Sequence, residues 1–236
     1  LLTTLLAGVS VAVLLATPAL AQQAPGSLDP TFGVGAEDGT PDGIVSTSLG
    51  DGDDVAAAIA KTKDGKLVVV GNRAADGSKN IVIVKYNSDG TLDTGFGTSD
   101  DGTPDGVVDI SLGEGDDVAT AVAVQADDKV VVAGYHVEGA SSNIFVLRLN
   151  TDGTTDGVVN VSLGDGNDVA RGVAVTADGG IVVVGDTVQG DSSNIVVARF
   201  AADGTPDASF GADGGSDGTP DGFVGLDLGA GDDRAN

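Results

Sequence analysis

GDDVAAAIAKTKDGKLVVVG, from Gly52 to Gly71, returns as GDDVATAVAVQADDKVVVAG from Gly115 to Gly134 and as GNDVARGVAVTADGGIVVVG from Gly166 to Gly185. Its opening returns once more as GDDRA from Gly231. The second acidic position marks the period at Asp54, Asp117, Asp168 and Asp233, with spacings of 63, 51 and 65 residues. Self-similarity at such a period is the signature of a repeat architecture. The short spacing has a local cause. SDGTLDTGFGTSDDGTPDG lies between Asn87 and Val107, but only TDGTTDG lies between Asn150 and Val158, a loss of 12 residues. The lost piece elaborates a loop, and the repeat closes without it.

Each unit holds four short runs rich in β-branched residues and bounded by turn signals, the pattern of strands. In the first unit they are Val55 to Thr62, Lys66 to Gly71, Asn80 to Tyr86 and Gly106 to Leu112. Asp64-Gly65 predicts a two-residue hairpin between the first two, repeated at Asp178-Gly179 and replaced by Asp127-Asp128 in the middle unit. LVVVG, VVVAG and IVVVG are apolar on both faces, as strands are when sheets stack on one another. Four antiparallel strands at this period read as a propeller blade. The expected fold is therefore all-β, with about three complete blades in an open or partial propeller. The boundaries follow: residues 1–21 a signal peptide, 22–53 a linker and the outer strand of a preceding blade, 54–116, 117–167 and 168–228 the three blades, and 229–236 the start of a truncated next blade.

Three further boxes, SLDPTFG (Ser27 to Gly33), TLDTGFG (Thr91 to Gly97) and TPDASFG (Thr205 to Gly211), punctuate the repeat. With the acidic D-V-A strand, the D-G turn, V-V-x-G and a basic third strand in fixed order, the chain resembles the delta-60 repeat family of bacterial β-propellers from about Ser27 onwards. Counted from Ser27, the third unit, which reads TDGTTDG after Asn150, has lost the box, and the DGTPDG tract is long for the family. The resemblance implies a propeller fold and a surface location, and no reaction.

Composition removes several chemistries. The 236 residues include 36 acidic and 11 basic side chains, one histidine and no cysteine, methionine or tryptophan. Thiol nucleophiles, disulfides and cysteine zinc sites are excluded, and His136 alone builds no multi-histidine metal site. A formal charge of -25 repels nucleic acid and favours cations. With 41% hydrophobic but only 3% aromatic residues, the core must be Val, Ile, Leu and Ala. Leu1 to Ala21 is uncharged, apolar up to Pro18 and ends in Ala19-Leu20-Ala21, the small-x-small form of a signal-peptidase site. Its apolar part is shorter than the ~20 residues a spanning helix needs, so export to the cell surface or medium, with no membrane span in the mature chain, is expected.

Antiparallel order places the connections into each new blade (LGDGDD, LGEGDD, LGDGND, LGAGDD) on one face with the variable stretches NRAADGSK, YHVEGASS and DTVQGDSS. The D-G hairpins and the DGTPDG tracts share the other face. DGTPDG occurs at Asp38 to Gly43, Asp101 to Gly106 and Asp217 to Gly222, with Asp152 to Gly157 as a degenerate fourth. Carboxylates four residues apart across Gly and Pro suit a hard cation such as calcium, which makes Asp38, Asp42, Asp101, Asp105, Asp217 and Asp221 the candidate metal ligands. The alternative is that these residues simply form turns. No other cofactor is expected. Lys85, Arg148 and Arg199 recur inside apolar third strands and need partners; recurring acids such as Asp54, Asp117 and Asp168 are the candidates, a channel for an anionic ligand the alternative. His136, between Tyr135 and Glu138, reads as a solvated residue of a variable loop. No catalytic constellation stands out. The expected function is a non-enzymatic, exported binding scaffold for a protein or glycan ligand, with a calcium-dependent adhesive or surface-layer module and a polysaccharide hydrolase or lyase as competing readings.

Overall fold

A computed structural model describes residues 26–33, 40–75, 77–98, 105–163, 166–189, 192–211, 222–226, 233 and 235. It contains twelve strands and no helix among these residues. The first blade is β1 (Asp54–Lys61), β2 (Leu67–Ala75), β3 (Ser78–Tyr86) and β4 (Val107–Ile110). The second is β5 (Asp117–Val124), β6 (Val130–Glu138), β7 (Ser141–Leu149) and β8 (Thr155–Val161), and the third is β9 (Asp168–Val175), β10 (Ile181–Gln189), β11 (Ser192–Phe200) and β12 (Phe223–Leu226). Each is an antiparallel meander in sequence order. The three blades expected at Asp54, Asp117 and Asp168 are thus present.

The doubly apolar second strands do what their pattern requires. Val68, Val70, Ile81 and Ile83 of the first blade bury against Val130, Val132, Phe145 and Leu147 of the second. Val131, Ala133, Ile144 and Val146, on the second blade's other face, bury against Ile181, Val183, Val196 and Ala198 of the third. Alternate residues of one strand therefore serve two different interfaces. The arc is open at the first blade, where Val55 and Ile59 are 52% and 61% exposed.

The glycine of V-V-x-G sits at a bulge in the first strand. A Cβ on Gly71, Gly134 or Gly185 would strike the carbonyl oxygen of Val55, Val118 or Val169. The D-G turn is one residue longer than the two-residue hairpin expected. Thr62 N bonds Lys66 O and Gly65 N bonds Thr62 O, so Lys63, Asp64 and Gly65 form a three-residue loop whose last residue has φ 88°. In the middle blade Asp128 takes this left-handed conformation, with φ 63°.

Residues 44–49 lie beside the first blade with their burial alternating outward and inward, the pattern of a strand, but no described strand pairs with them. They stand where a preceding blade's outer strand belongs. Gly43 N bonds Phe32 O as Gly106 N bonds Phe96 O, and Gly33 N bonds Asp89 O as Gly97 N bonds Asp152 O.

Candidate functional site

The β2–β3, β6–β7 and β10–β11 hairpins gather on the face that also carries each entry into the next blade. Lys79 N donates to Asp116 Oδ1 and Ser142 N to Asn167 Oδ1, both at 3.0 Å, tying each hairpin to the following entry. At every entry one aspartate fixes the turn. Leu49 N, Leu112 N and Leu163 N donate to Oδ2 of Asp54, Asp117 and Asp168 at 2.9, 2.7 and 2.7 Å. Asp117 and Asp168 are fully buried, and burial pushes both carboxyls above their ordinary range.

Opposite this fixed aspartate, the cross-strand residue differs in every blade: Arg73 faces Asp54, His136 faces Asp117 and Thr187 faces Asp168. Arg73 donates to Leu49 O at 2.7 Å and pairs with Asp109. His136 Nδ1 lies 3.4 Å from Asp117 Oδ1, and its Nε2 lies 3.8 Å from Glu138 Oε2. The residue after the bulge glycine also varies, as Asn72, Tyr135 and Asp186, and Asp186 holds Arg171 Nε at 2.9 Å.

Two expectations for this face need correction. His136 is not a solvated loop residue but a buried member of β6, only 7% exposed. The described residues of the variable stretches are strand extensions, joined in the second blade by a turn at Gly139 and Ala140. Backbone pairing continues to Ala75↔Ser78 and Glu138↔Ser141 regardless of the polar side chains it carries.

On the opposite face the recurring cations choose other partners than those expected. Lys85, Arg148 and Arg199 reach Asp93 (3.5 Å), Asp156 (2.7 Å) and Asp207 (3.2 Å). Asp54, Asp117 and Asp168 are occupied with the blade entries on the other face. Lys66 and Lys129 join the same acids at 2.9 and 2.7 Å, and Lys85 also lies 5.0 Å from the Phe96 ring centre. Two of the three cations cross a blade junction as well: Lys85 Nζ donates to Thr151 O at 3.2 Å, and Arg148 Nη1 donates to Ala202 O. These residues are structural staples.

Asp156 standing beside Lys129 and Arg148, as Asp93 stands beside Lys66 and Lys85, also corrects the reading of Asp152 to Gly157. Asp152 to Asp156 is the counterpart of Asp89 to Asp93, and of the DGTPDG tract only the last glycine has an equivalent here, Gly157, which pairs with Arg148. The bridges Tyr86↔Leu92 and Phe200↔Pro206 and the pair Leu149↔Thr155 align the three blades in this way.

Of the candidate metal ligands, Asp38, Asp101, Asp217 and Asp221 lie outside the described residues. Asp42 Oδ1 accepts from Ile44 N and Asp105 Oδ1 from Val107 N, each at 3.0 Å, so both hold the turn into an outer strand. Among the described residues no three His, Asp or Glu side chains gather as a metal site, and no helix is long and apolar enough to cross a membrane.

Stacked four-stranded antiparallel sheets with these repeating contacts are the blades of a β-propeller repeat protein. Three segments, residues 62–96, 125–157 and 176–210, match the family model described as domain of unknown function (DUF5122) beta-propeller. The three matches share one phase, each beginning at the turn after a blade's first strand. No curated protein matches the chain.

Proposed function

We propose that this chain is an exported, non-enzymatic propeller of the delta-60 kind that binds a protein or glycan ligand on its hairpin face. The observation that carries the reading is variation on a fixed frame. Asp54, Asp117 and Asp168 repeat with their turn bonds, while the residues facing them and the hairpin tips change from blade to blade. Repeat proteins place recognition on surfaces of this kind. The opposite face is taken up by staples within and between blades. Export rests on the apolar, uncharged segment Leu1 to Ala21 and its small-x-small end. The net charge of -25 directs the face towards cationic or neutral ligands.

The test is a binding screen of the immobilised chain against neutral, acidic and basic polysaccharides and against peptide libraries. A variant in which residues 135–142 are replaced by residues 72–79 runs beside it. Binding lost in the exchange variant while the circular dichroism spectrum holds supports the reading. Release of reducing ends from any of those polysaccharides, abolished by one carboxylate substitution, replaces it with the hydrolase reading.

A further inference from the structure

The 12 residues lost from the second blade leave a notch beside the third. Asp152 to Asp156 stand as Asp89 to Asp93 and Gly157 stands as Gly106, so the missing counterparts are those of residues 94–105, which carry Phe96 and Gly97. Two other places show what this stretch does. Gly33 N donates to Asp89 O at 2.8 Å and Gly97 N donates to Asp152 O at 2.9 Å, each box glycine joining the turn of the blade that follows it. The same two glycines lie flat on an outer strand: a Cβ on Gly33 would stand 2.1 Å from Ile44 O, and one on Gly97 would stand 1.9 Å from Val107 O.

Between the second and third blades the same groups stand open. Asp203 O follows Asp89 O and Asp152 O in the series and accepts no bond among the described residues. A Cβ on Gly90 would meet Gly33 N at 2.7 Å and Val45 Cγ2 at 2.8 Å, and one on Gly153 would meet Gly97 N at 2.6 Å and Val108 Cγ2 at 2.9 Å. One on Gly204, the next in line, would meet nothing within 4 Å, nor would one on Gly157. The pairs Val84↔Val107 and Leu147↔Val158 make Val158 O the counterpart of Val107 O, and Val158 is 39% exposed. Without the excursion of the box the outer strand also runs on. β8 has 7 residues where β4 and β12 have 4, and its far edge pairs with no described strand.

We propose that this notch, on the face opposite the hairpins, is a docking site for a Phe-Gly segment of a partner polypeptide. The segment lies along β8 as Phe96 and Gly97 lie along β4, an addition to a free sheet edge. Its glycine N–H meets Asp203 O, and its α-carbon rests on Val158 O, where a side chain has no room. That glycine also holds a left-handed backbone, since Gly33 and Gly97 have φ of 82° and 71°. The occupant is of this kind because the molecule fills the equivalent place twice with the same pair, Phe32-Gly33 and Phe96-Gly97. The notch shares no residue with the hairpin face, so either site can fail alone.

The test is a titration of the isotope-labelled chain, followed by NMR, with the peptide Thr-Gly-Phe-Gly-Thr, the sequence of residues 94–98, capped at both ends. The amide signals of Gly157, Val158 and Gly204 should shift and saturate. The peptide Thr-Gly-Phe-Ala-Thr should move none of them, because its methyl group would strike Val158 O. A variant of the chain with the sequence of residues 94–105 inserted between Asp156 and Gly157 repeats the connection of the first blade, and it should lose the response because the notch is then filled from within. Absence of a saturable shift, an equal response to the alanine peptide, shifts confined to signals away from residues 155–159 and 203–205, or an insertion variant that responds like the parent overturns the proposal.

Discussion

Replacing Gly134 by alanine adds one methyl group at a bulge where backbone and an aromatic ring both stand in its way. The new Cβ would stand 2.8 Å from Cε1 and Cζ of Phe145 and would overlap the Val118 carbonyl oxygen. Ordinary contact requires the ring to retreat by roughly 0.6 Å, yet Phe145 is fully buried between the first two blades. The carbonyl is equally held, because Val118 lies in β5, packed against both neighbouring blades. Overpacking a rigid core costs about 1–3 kcal/mol, and with both obstacles fixed we expect about 3 kcal/mol. For a chain of this size that lowers Tm by about 6–12 °C. Gly71→Ala meets the same geometry with two differences: Val82 stands where Phe145 does, and Val55 is half-exposed on an open face. There β1 can shift, and about 1 kcal/mol is expected. Gly157→Ala has the opposite sign. Gly43, Gly106 and Gly222 hold φ near 90°, but Gly157 has no positive φ and open space around its Cα. Alanine there restricts the unfolded chain and should add about 0.4–1 kcal/mol. Thermal melts followed by circular dichroism on the three variants decide the matter. A Gly134→Ala melting curve coincident with the parent, or a destabilised Gly157→Ala, would refute the packing argument.

Further outcomes follow from the charges. Asp168 is buried with its carboxyl raised, so its favourable contribution is complete at low pH, where it is protonated, and is lost as pH climbs through the raised value. Asp168→Asn should therefore melt close to the parent in acid and gain on it progressively above the ordinary carboxylate range, in melts from pH 3 to 8. Arg148→Met should lower Tm more than Arg199→Met, because only Arg148 also bonds a carbonyl across a blade junction. Calcium at millimolar levels should raise Tm no more than sodium chloride of equal ionic strength, since Asp42 and Asp105 already serve backbone N–H groups. A shift unique to calcium would favour the adhesive-module reading.

The strand framework was legible because its signals are local. β-branched runs, D-G turns and the returning V-V-x-G need no knowledge of distant residues to be read. Strand length was not legible. Asn72, Arg73 and His136 look like loop residues by propensity, yet each is carried in a ladder by its cross-strand partner. His136 in particular lies beneath the entry turn of its own blade, where a Cβ placed on Gly113 would stand 3.6 Å from its ring. The staple acids were missed for a related reason. Asp93 lies close to Lys85 in the chain, but the choice between Asp93 and Asp54 depends on which end of β3 points to which face, a tertiary fact. The varied positions opposite Asp54, Asp117 and Asp168 could have been found by aligning the repeats, had the polar stretches been read as paired strand.

Both blade junctions share an asymmetry. On the face that carries the D-G turns, many receiving atoms belong to the main chain: Ala126 O, Thr151 O and Asp152 O at the first, Gly179 O and Ala202 O at the second. The donors differ, Lys63 and Lys85 in one blade, Gln125 and Arg148 in the next. A carbonyl exists whatever residue bears it, so one blade can change its donor without a compensating substitution in its neighbour. A newly duplicated unit meets acceptors already in place, and copies can diverge in sequence for a long time before the seam between them fails.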